Sequence, residues 1–311
     1  MKRPVPIVLA CSVRDRLKAI ADHRHEDFQD VLLRYGVERL LYRLCRSGWR
    51  DRFVLKGAML FAVWADKPYR TTRDVDLLGF GDVSVSAMER TFKSLCSIDV
   101  EPDGLTFRPE TVTGTRIRAG RSYEGVRIVM QAELARAVIY LQVDIGVGDR
   151  VVPLPQPKEL PTLLQMAAPR LHVYSRYSVV AEKLETLVEK GSATSRLKDL
   201  ADLLFLSRTW EFDGPTLVRA IRGTFERRTT PYPAGVPEAL GEAFAMSPAK
   251  RAQWQTFVRR SRLVDAAPGL ADVVAALHDF VLPPLTAARD GTGFGRRWLP
   301  GSGWRARAAA D

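Results

Sequence analysis

The chain has 311 residues, 46% of them hydrophobic and 27% charged; that balance excludes wholesale disorder and collagen-like or coiled-coil composition, and the length allows one large domain or two ordinary ones. Cys11, Cys45 and Cys96 fit neither a disulfide framework nor a zinc site, and no stretch offers the ~18 uninterrupted apolar residues of a spanning helix, so a cytoplasmic protein without membrane passage is expected. The formal charge is +11 and only 10 of the 47 basic residues are lysine, an arginine-rich balance that suits a polyanion such as nucleic acid, although a GC-rich genome would enrich arginine regardless of function.

In chain order, residues 12–21 and 26–46 carry helical periodicity, the second with an apolar stripe that includes Val31, Leu32, Leu40, Leu41 and Leu44. Residues 53–55 read as a short strand, Lys56-Gly57 as a tight turn and 58–64 as a buried helix. A polar loop over 65–73 leads to 74–78, where acidic and apolar residues alternate with the period of a strand, and 83–97 reads as a further helix. Between 105 and 152, β-branched runs broken by glycine predict strands of one sheet. Prolines 153, 155, 157 and 161 mark its exit, and helices are predicted over 177–190, 195–208, 213–227, 248–263 and 270–282. The expected fold class is α+β: a mixed α/β domain over 1–165, a helical domain over 166–288, and a basic flexible tail over 289–311. The tail's Trp298, Trp304 and arginines suit RNA contacts, or the tail is an idle end.

The sharpest chemical signal is Asp74-Val75-Asp76 together with Asp144. Residues two apart on a strand share a face, so Asp74 and Asp76 project together, and Asp144 stands in a strongly apolar strand between Val143 and Ile145, where an unpaired charge is costly. Clustered carboxylates suit Mg²⁺, two ions of which activate an attacking hydroxyl and stabilise leaving pyrophosphate; Mn²⁺ is the alternative ion. The competing reading pairs these aspartates with Arg73, Arg127 or other arginines. Lys56-Gly57-Ala58, a strand-to-helix turn, offers backbone N–H groups to a triphosphate.

Lys56-Gly57-Ala58-Met59-Leu60, Arg70-Thr71-Thr72-Arg73-Asp74-Val75-Asp76, Ala181-Glu182-Lys183-Leu184-Glu185-Thr186-Leu187 and Arg196-Leu197-Lys198-Asp199-Leu200-Ala201-Asp202 resemble, in order, the motifs of the AbiEii/AbiGii nucleotidyltransferase-like toxins, within the DNA polymerase β-like nucleotidyltransferase superfamily. The resemblance implies a nucleotidyltransferase-type mixed sheet followed by helices that complete an active-site cleft. It implies Asp74 and Asp76 as catalytic metal ligands, Asp144 as a third carboxylate, and Lys183 and Asp199 in the nucleotide-binding and catalytic set, with Lys56, Gly57, Ala58, Thr72 and Arg73 at the nucleotide. The implied reaction is metal-dependent transfer of a nucleoside monophosphate from an NTP to RNA, at the tRNA acceptor end, by a toxin that blocks translation and is restrained by a separate antitoxin. The alternatives are a binding regulator with little catalysis and transfer to a protein hydroxyl.

Ala58 departs from the Gly-Ser or Gly-Gly of relatives and supplies no hydroxyl to a phosphate, which favours weaker or repositioned triphosphate contacts. Read as a helix, residues 177–190 leave Lys183 at the margin of the apolar side, as an ordinary surface lysine unless the motif applies. Asp199 and Asp202 share a face with Arg196 one turn before, which predicts a local ion-pair network. Thr72 stands where some relatives are phosphorylated; otherwise it hydrogen-bonds the loop ahead of the strand. His23 and His25 diverge on a helix and cannot share a metal, and Ser12, Ser175 and Ser178 lack a nucleophile's setting.

Overall fold

The computed structural model describes residues 6–65, 74–118, 124–261 and 268–307. The chain divides into two compact units, residues 1–148 with 156–174, and 149–155 with 175–311.

The first unit is built on a seven-stranded mixed sheet. Its strands in chain order are β1 (Phe53–Lys56), β2 (Asp74–Gly79), β3 (Leu105–Arg118), β4 (Glu124–Leu134), β5 (Ala137–Val147), β6 (Gln156–Glu159) and β7 (Arg170–Val173), arranged β3-β4-β5-β2-β1-β7-β6. The β5/β2 and β1/β7 pairs are parallel and the rest antiparallel. Helices α1 (Ile7–Arg24), α2 (Phe28–Cys45), the short α3 (Leu60–Trp64) and α4 (Val85–Cys96) accompany it. Period-two alternation decides which face they cover: Ile139, Leu141, Val143 and Ile145 of β5 are buried, and Gly36 of α2 lies against Ile139 and Leu141. The opposite face is open there, with Tyr140 72% exposed and Val129 and Val138 41% exposed.

Helix α2 starts at Asp27, whose carboxylate accepts from the Gln29 and Asp30 amides. Along it Glu38, Arg39 and Arg43 are buried rather than solvated. Arg43 reaches Asp103 at 2.6 Å, Arg39 Nη1 donates to the Ala167 carbonyl at 2.8 Å, and Glu38 accepts from the Leu163 amide at 2.7 Å. Burial pushes the Glu38 carboxyl up to about 7, against the opposing pull of the Leu163 amide and Arg39. These bonds tether two loops to the helix.

The second unit contains α5 (Arg176–Lys190), α6 (Leu197–Thr209), α7 (Gly214–Arg228), α8 (Glu242–Met246), α9 (Pro248–Arg260) and α10 (Leu270–Asp290), with a small sheet of β8 (Phe212–Asp213), β9 (Arg296–Leu299) and β10 (Gly303–Ala306). Ser175 caps α5 by accepting from the Ser178 amide, and both serine hydroxyls bond the Val152 carbonyl, which accounts for them structurally. Helix α10 is long and apolar enough to cross a membrane by composition, but half of that stretch is buried in the protein, with Leu277, Phe280 and Val281 wholly enclosed.

Three expectations are corrected. The first unit ends at Tyr174 rather than near 165, because β7 pairs with β1 and extends the sheet. Residues 289–311 are not a flexible tail where described: α10 continues to Asp290 through Pro283 and Pro284, and β9 and β10 form a hairpin. Trp298 is buried, its indole N–H donating to the Ser207 carbonyl at 2.7 Å, and Trp304 donates to the Phe280 carbonyl at 3.0 Å. Both indoles are therefore committed to the fold rather than presented for base stacking. Finally, α9 ends at Arg260, and residues 262–267 lie outside the described residues.

Candidate active site

Strand β2 places Asp74 and Asp76 on one face and buries Val75 on the other. Sheet register then assembles a charged row. Lys56 of β1 lies opposite Asp76, Asp76 opposite Asp144 of β5, and Asp144 opposite Arg127 of β4. Directly opposed residues share a face, so the row reads cation, carboxylate, carboxylate, cation across four strands. Asp74 lies opposite Gln142, whose Nε2 donates to its Oδ1 at 3.0 Å.

Asp144 is engaged by Arg127 in a bidentate pair, at 2.8 and 2.7 Å. These hydrogen bonds, more than the opposing cost of desolvation, hold the Arg127 guanidinium above its ordinary pKa, with Asp74 and Asp76 adding to the effect. The ion-pair reading therefore describes Asp144, which stands opposite Asp76 on the same face of the sheet with its charge shared by Arg127. Among the described residues no three His, Cys, Asp or Glu side chains form a metal cage. Asp74 and Asp76 by themselves suit a hard divalent ion of the kind held by one or two carboxylates, with phosphate oxygens and water completing its shell.

Gly57 makes room for Asp76. Its φ is +74°, and a Cβ added there would collide with the carboxylate, standing 2.7 Å from Asp76 Cγ. Lys56, just before it, carries its ammonium 5.1 Å from the Tyr174 ring centroid. Gly57→Ala is expected to destabilise the first unit by about 1–2 kcal/mol through the left-handed backbone alone. It should also displace the Asp76 carboxylate, so that product formation falls further than the melting temperature would explain. Thermal melts alongside transfer assays check this. Ala58 is the middle residue of a short 3-10 turn over Gly57–Met59, while Thr72 and Arg73 lie outside the described residues.

In the second unit Lys183 is not a surface lysine. Its ammonium lies 2.7 Å from both Asp199 Oδ1 and Asp202 Oδ2, and the two aspartates are 4% and 0% exposed. Burial alone would lower its pKa, but the attraction of Asp199 and Asp202 outweighs it and holds the ammonium above its ordinary value. The network predicted around Arg196 thus centres on Lys183 of the preceding helix. On the other side of α5, Arg228 gathers Glu182, Glu185 and Asp149.

A family model described as nucleotidyl transferase AbiEii toxin, type IV TA system, matches residues 39–276, a span that contains the charged row, Gly57 and the Lys183 triad. The chain belongs to this AbiEii family. AbiEii membership makes it a toxin-type nucleotidyltransferase with an antitoxin as counterpart. Two Helicobacter pylori crystal structures share low similarity with this AbiEii chain. One, provisionally assigned as a nucleotidyltransferase, has 13% identity and a TM-score of 0.42, over 81% of this chain and 91% of that one. The other, JHP933, has 12% identity and a TM-score of 0.42, over 81% and 88%. No curated protein matches the chain.

Arg127 was open to sequence reasoning only as one of several arginines. A hairpin turn at Ala135-Arg136 carries the needed signal, because closing it with Leu134 opposite Ala137 sets Arg127 opposite Asp144. Gln142 and Arg228 carry no comparable sequence signal.

Proposed function

We propose that this AbiEii chain transfers a nucleoside monophosphate from an NTP to RNA, at the tRNA acceptor end, and blocks translation unless its antitoxin restrains it. The observation that carries the reading is the row Lys56, Asp76, Asp144, Arg127, with Asp74 beside it and Gly57 shaped around Asp76.

In this reaction a ribose hydroxyl of the acceptor attacks the α-phosphorus of the donor. A P–O bond forms to the acceptor, the bond to pyrophosphate breaks, and the hydroxyl proton passes to a carboxylate or water. Asp74 and Asp76 would hold Mg²⁺, or Mn²⁺ in its place. When bound, such an ion stabilises charge on the phosphoryl group and lowers the pKa of the attacking hydroxyl. Arg127 neutralises Asp144, so Asp76 faces a paired carboxylate on the neighbouring β5 rather than a bare like charge. Lys56 and the N–H groups after Gly57 contribute positive potential for donor phosphates. Motif resemblance supports Lys183 and Asp199 as nucleotide-contacting residues. The net charge of +11 supports a polyanionic acceptor.

The test is incubation of purified protein with each labelled NTP and total RNA, with and without EDTA. Label is expected in a discrete band of tRNA size, and EDTA should abolish it. Label on protein would instead assign a hydroxyl side chain as acceptor, and no labelled product with any NTP would overturn transferase activity.

A further inference from the structure

Within the second unit, a cavity of about 630 Å³ opens beside the start of α5 and the turn from α6 into β8. Its size is that of a small-ligand pocket. Arg176, Tyr177 and Trp210 line it, with Arg297 and Arg307 contributed by the C-terminal hairpin region. Two carboxylates also face it, and both are spoken for. Glu211 pairs with Arg297, while Asp213 lies 3.4 Å from Arg307 and caps α7 by accepting from the Thr216 amide at 3.1 Å and its hydroxyl at 2.6 Å.

Arg176 is left over. Among the described residues it has no carboxylate partner, and its guanidinium carbon sits 5.4 Å from the Trp210 ring centroid. Burial lowers its pKa, and only the Tyr177 hydroxyl pulls the other way. An arginine nonetheless keeps its charge and offers five N–H donors in a planar fork, which a phosphate matches bidentately. The Tyr177 oxygen accepts from the Asp213 amide at 3.0 Å, so its own proton can be donated elsewhere. A partly desolvated cation, a hydroxyl donor and two aromatic walls in one cavity describe a receptor for an anion carrying a flat ring.

We propose that this cavity binds a nucleotide phosphate, taken in the Arg176 fork, with the attached base against Tyr177 and Trp210. The ligand is a free nucleotide or the phosphate of a strand terminus, and the same guanidinium would recognise either. The site uses none of Asp74, Asp76 or Asp144.

The experiment titrates the full chain in EDTA with AMP, inorganic phosphate and a ten-nucleotide single-stranded RNA, by calorimetry. EDTA removes metal-dependent donor binding, so the outcome does not depend on transferase activity. Saturable binding that weakens with salt is expected, and Arg176→Gln should weaken it by at least roughly tenfold, the worth of a charge-assisted pair. Arg176→Lys, which keeps the charge and loses the fork, should fall between the two and guards against a folding defect. Arg176-dependent binding of AMP assigns a free nucleotide, and such dependence for the RNA alone assigns a strand. Absence of binding by every probe, or equal binding by wild type and both variants, overturns the proposal.

Discussion

Asp76→Asn is expected to lower nucleotidyl transfer by roughly 10²–10³-fold, the usual cost of removing one group that stabilises transition-state charge. Asp76 is the candidate with the largest effect because it sits at the centre of the charged row, between Lys56 and Asp144, with Gly57 contoured to it. Asparagine keeps its size and its place on β2 while removing the negative charge. Asp76 is also partly solvent-accessible, so the fold should survive with a melting temperature within a few degrees of wild type. Single-turnover transfer of labelled nucleotide, read beside a thermal melt, separates the two effects. Undiminished transfer by Asp76→Asn would remove Asp76 from the catalytic centre.

Lys183→Met is expected to cost about 3–5 kcal/mol of stability, because it strands Asp199 and Asp202 as uncompensated carboxylates in the interior. Replacing both aspartates with asparagine in the same chain should recover much of the loss, since the stranded charges then disappear. The pH dependence follows the sign of the shift. A Lys183 pKa held above its ordinary 10.5 makes the triad's contribution full below that value and lost only as pH rises through the elevated folded pKa. A denaturant titration near neutrality and another in strong alkali check both statements. Donor titration of the variant, run where it is folded, addresses the phosphate-binding role: an unchanged NTP dependence would leave Lys183 with a purely structural task.

The elements visible in the sequence are those whose own periodicity declares them. Helix α4 and strand β2 agree with the reading because the apolar face of α4 repeats at 3.6 residues along its length and β2 alternates with period two over residues 74–77. The small sheet in the second unit is not legible in the sequence, for the opposite reason. Strands β8 to β10 are two to four residues long, and β9 and β10 are set among glycines and arginines, with Trp298 and Trp304 as anchors whose value depends on Phe280 being nearby. Pro283 and Pro284 argue locally for a helix end, yet burial of Val281 and Leu285 on either side carries α10 past them.

The site shows the same division. Asp74 and Asp76 share a face by strand geometry, so they are legible from two letters and a spacing. The Arg127 pair with Asp144 depends on a hairpin register, and the Lys183 pair with Asp199 depends on how α5 packs against α6. Both facts belong to tertiary structure, and neither is written in local periodicity.

The interleaving of the two units bears on how such a protein can be cut or recombined. Residues 149–155 precede the last two strands of the sheet, yet they belong with the helical unit. Asp149 is a partner of Arg228, and the Val152 carbonyl accepts from Ser175 and Ser178 at the start of α5. A fragment beginning at Ser175 would leave behind one carboxylate of the Arg228 cluster and the acceptor at the α5 cap, while a fragment ending at Gly148 would forfeit β6 and β7. Neither unit is a cassette. A chimaera that exchanges the helical unit between relatives would have to carry the 149–155 segment with it as a second graft, or lose both the Asp149 contact to Arg228 and the Val152 acceptor at the α5 cap.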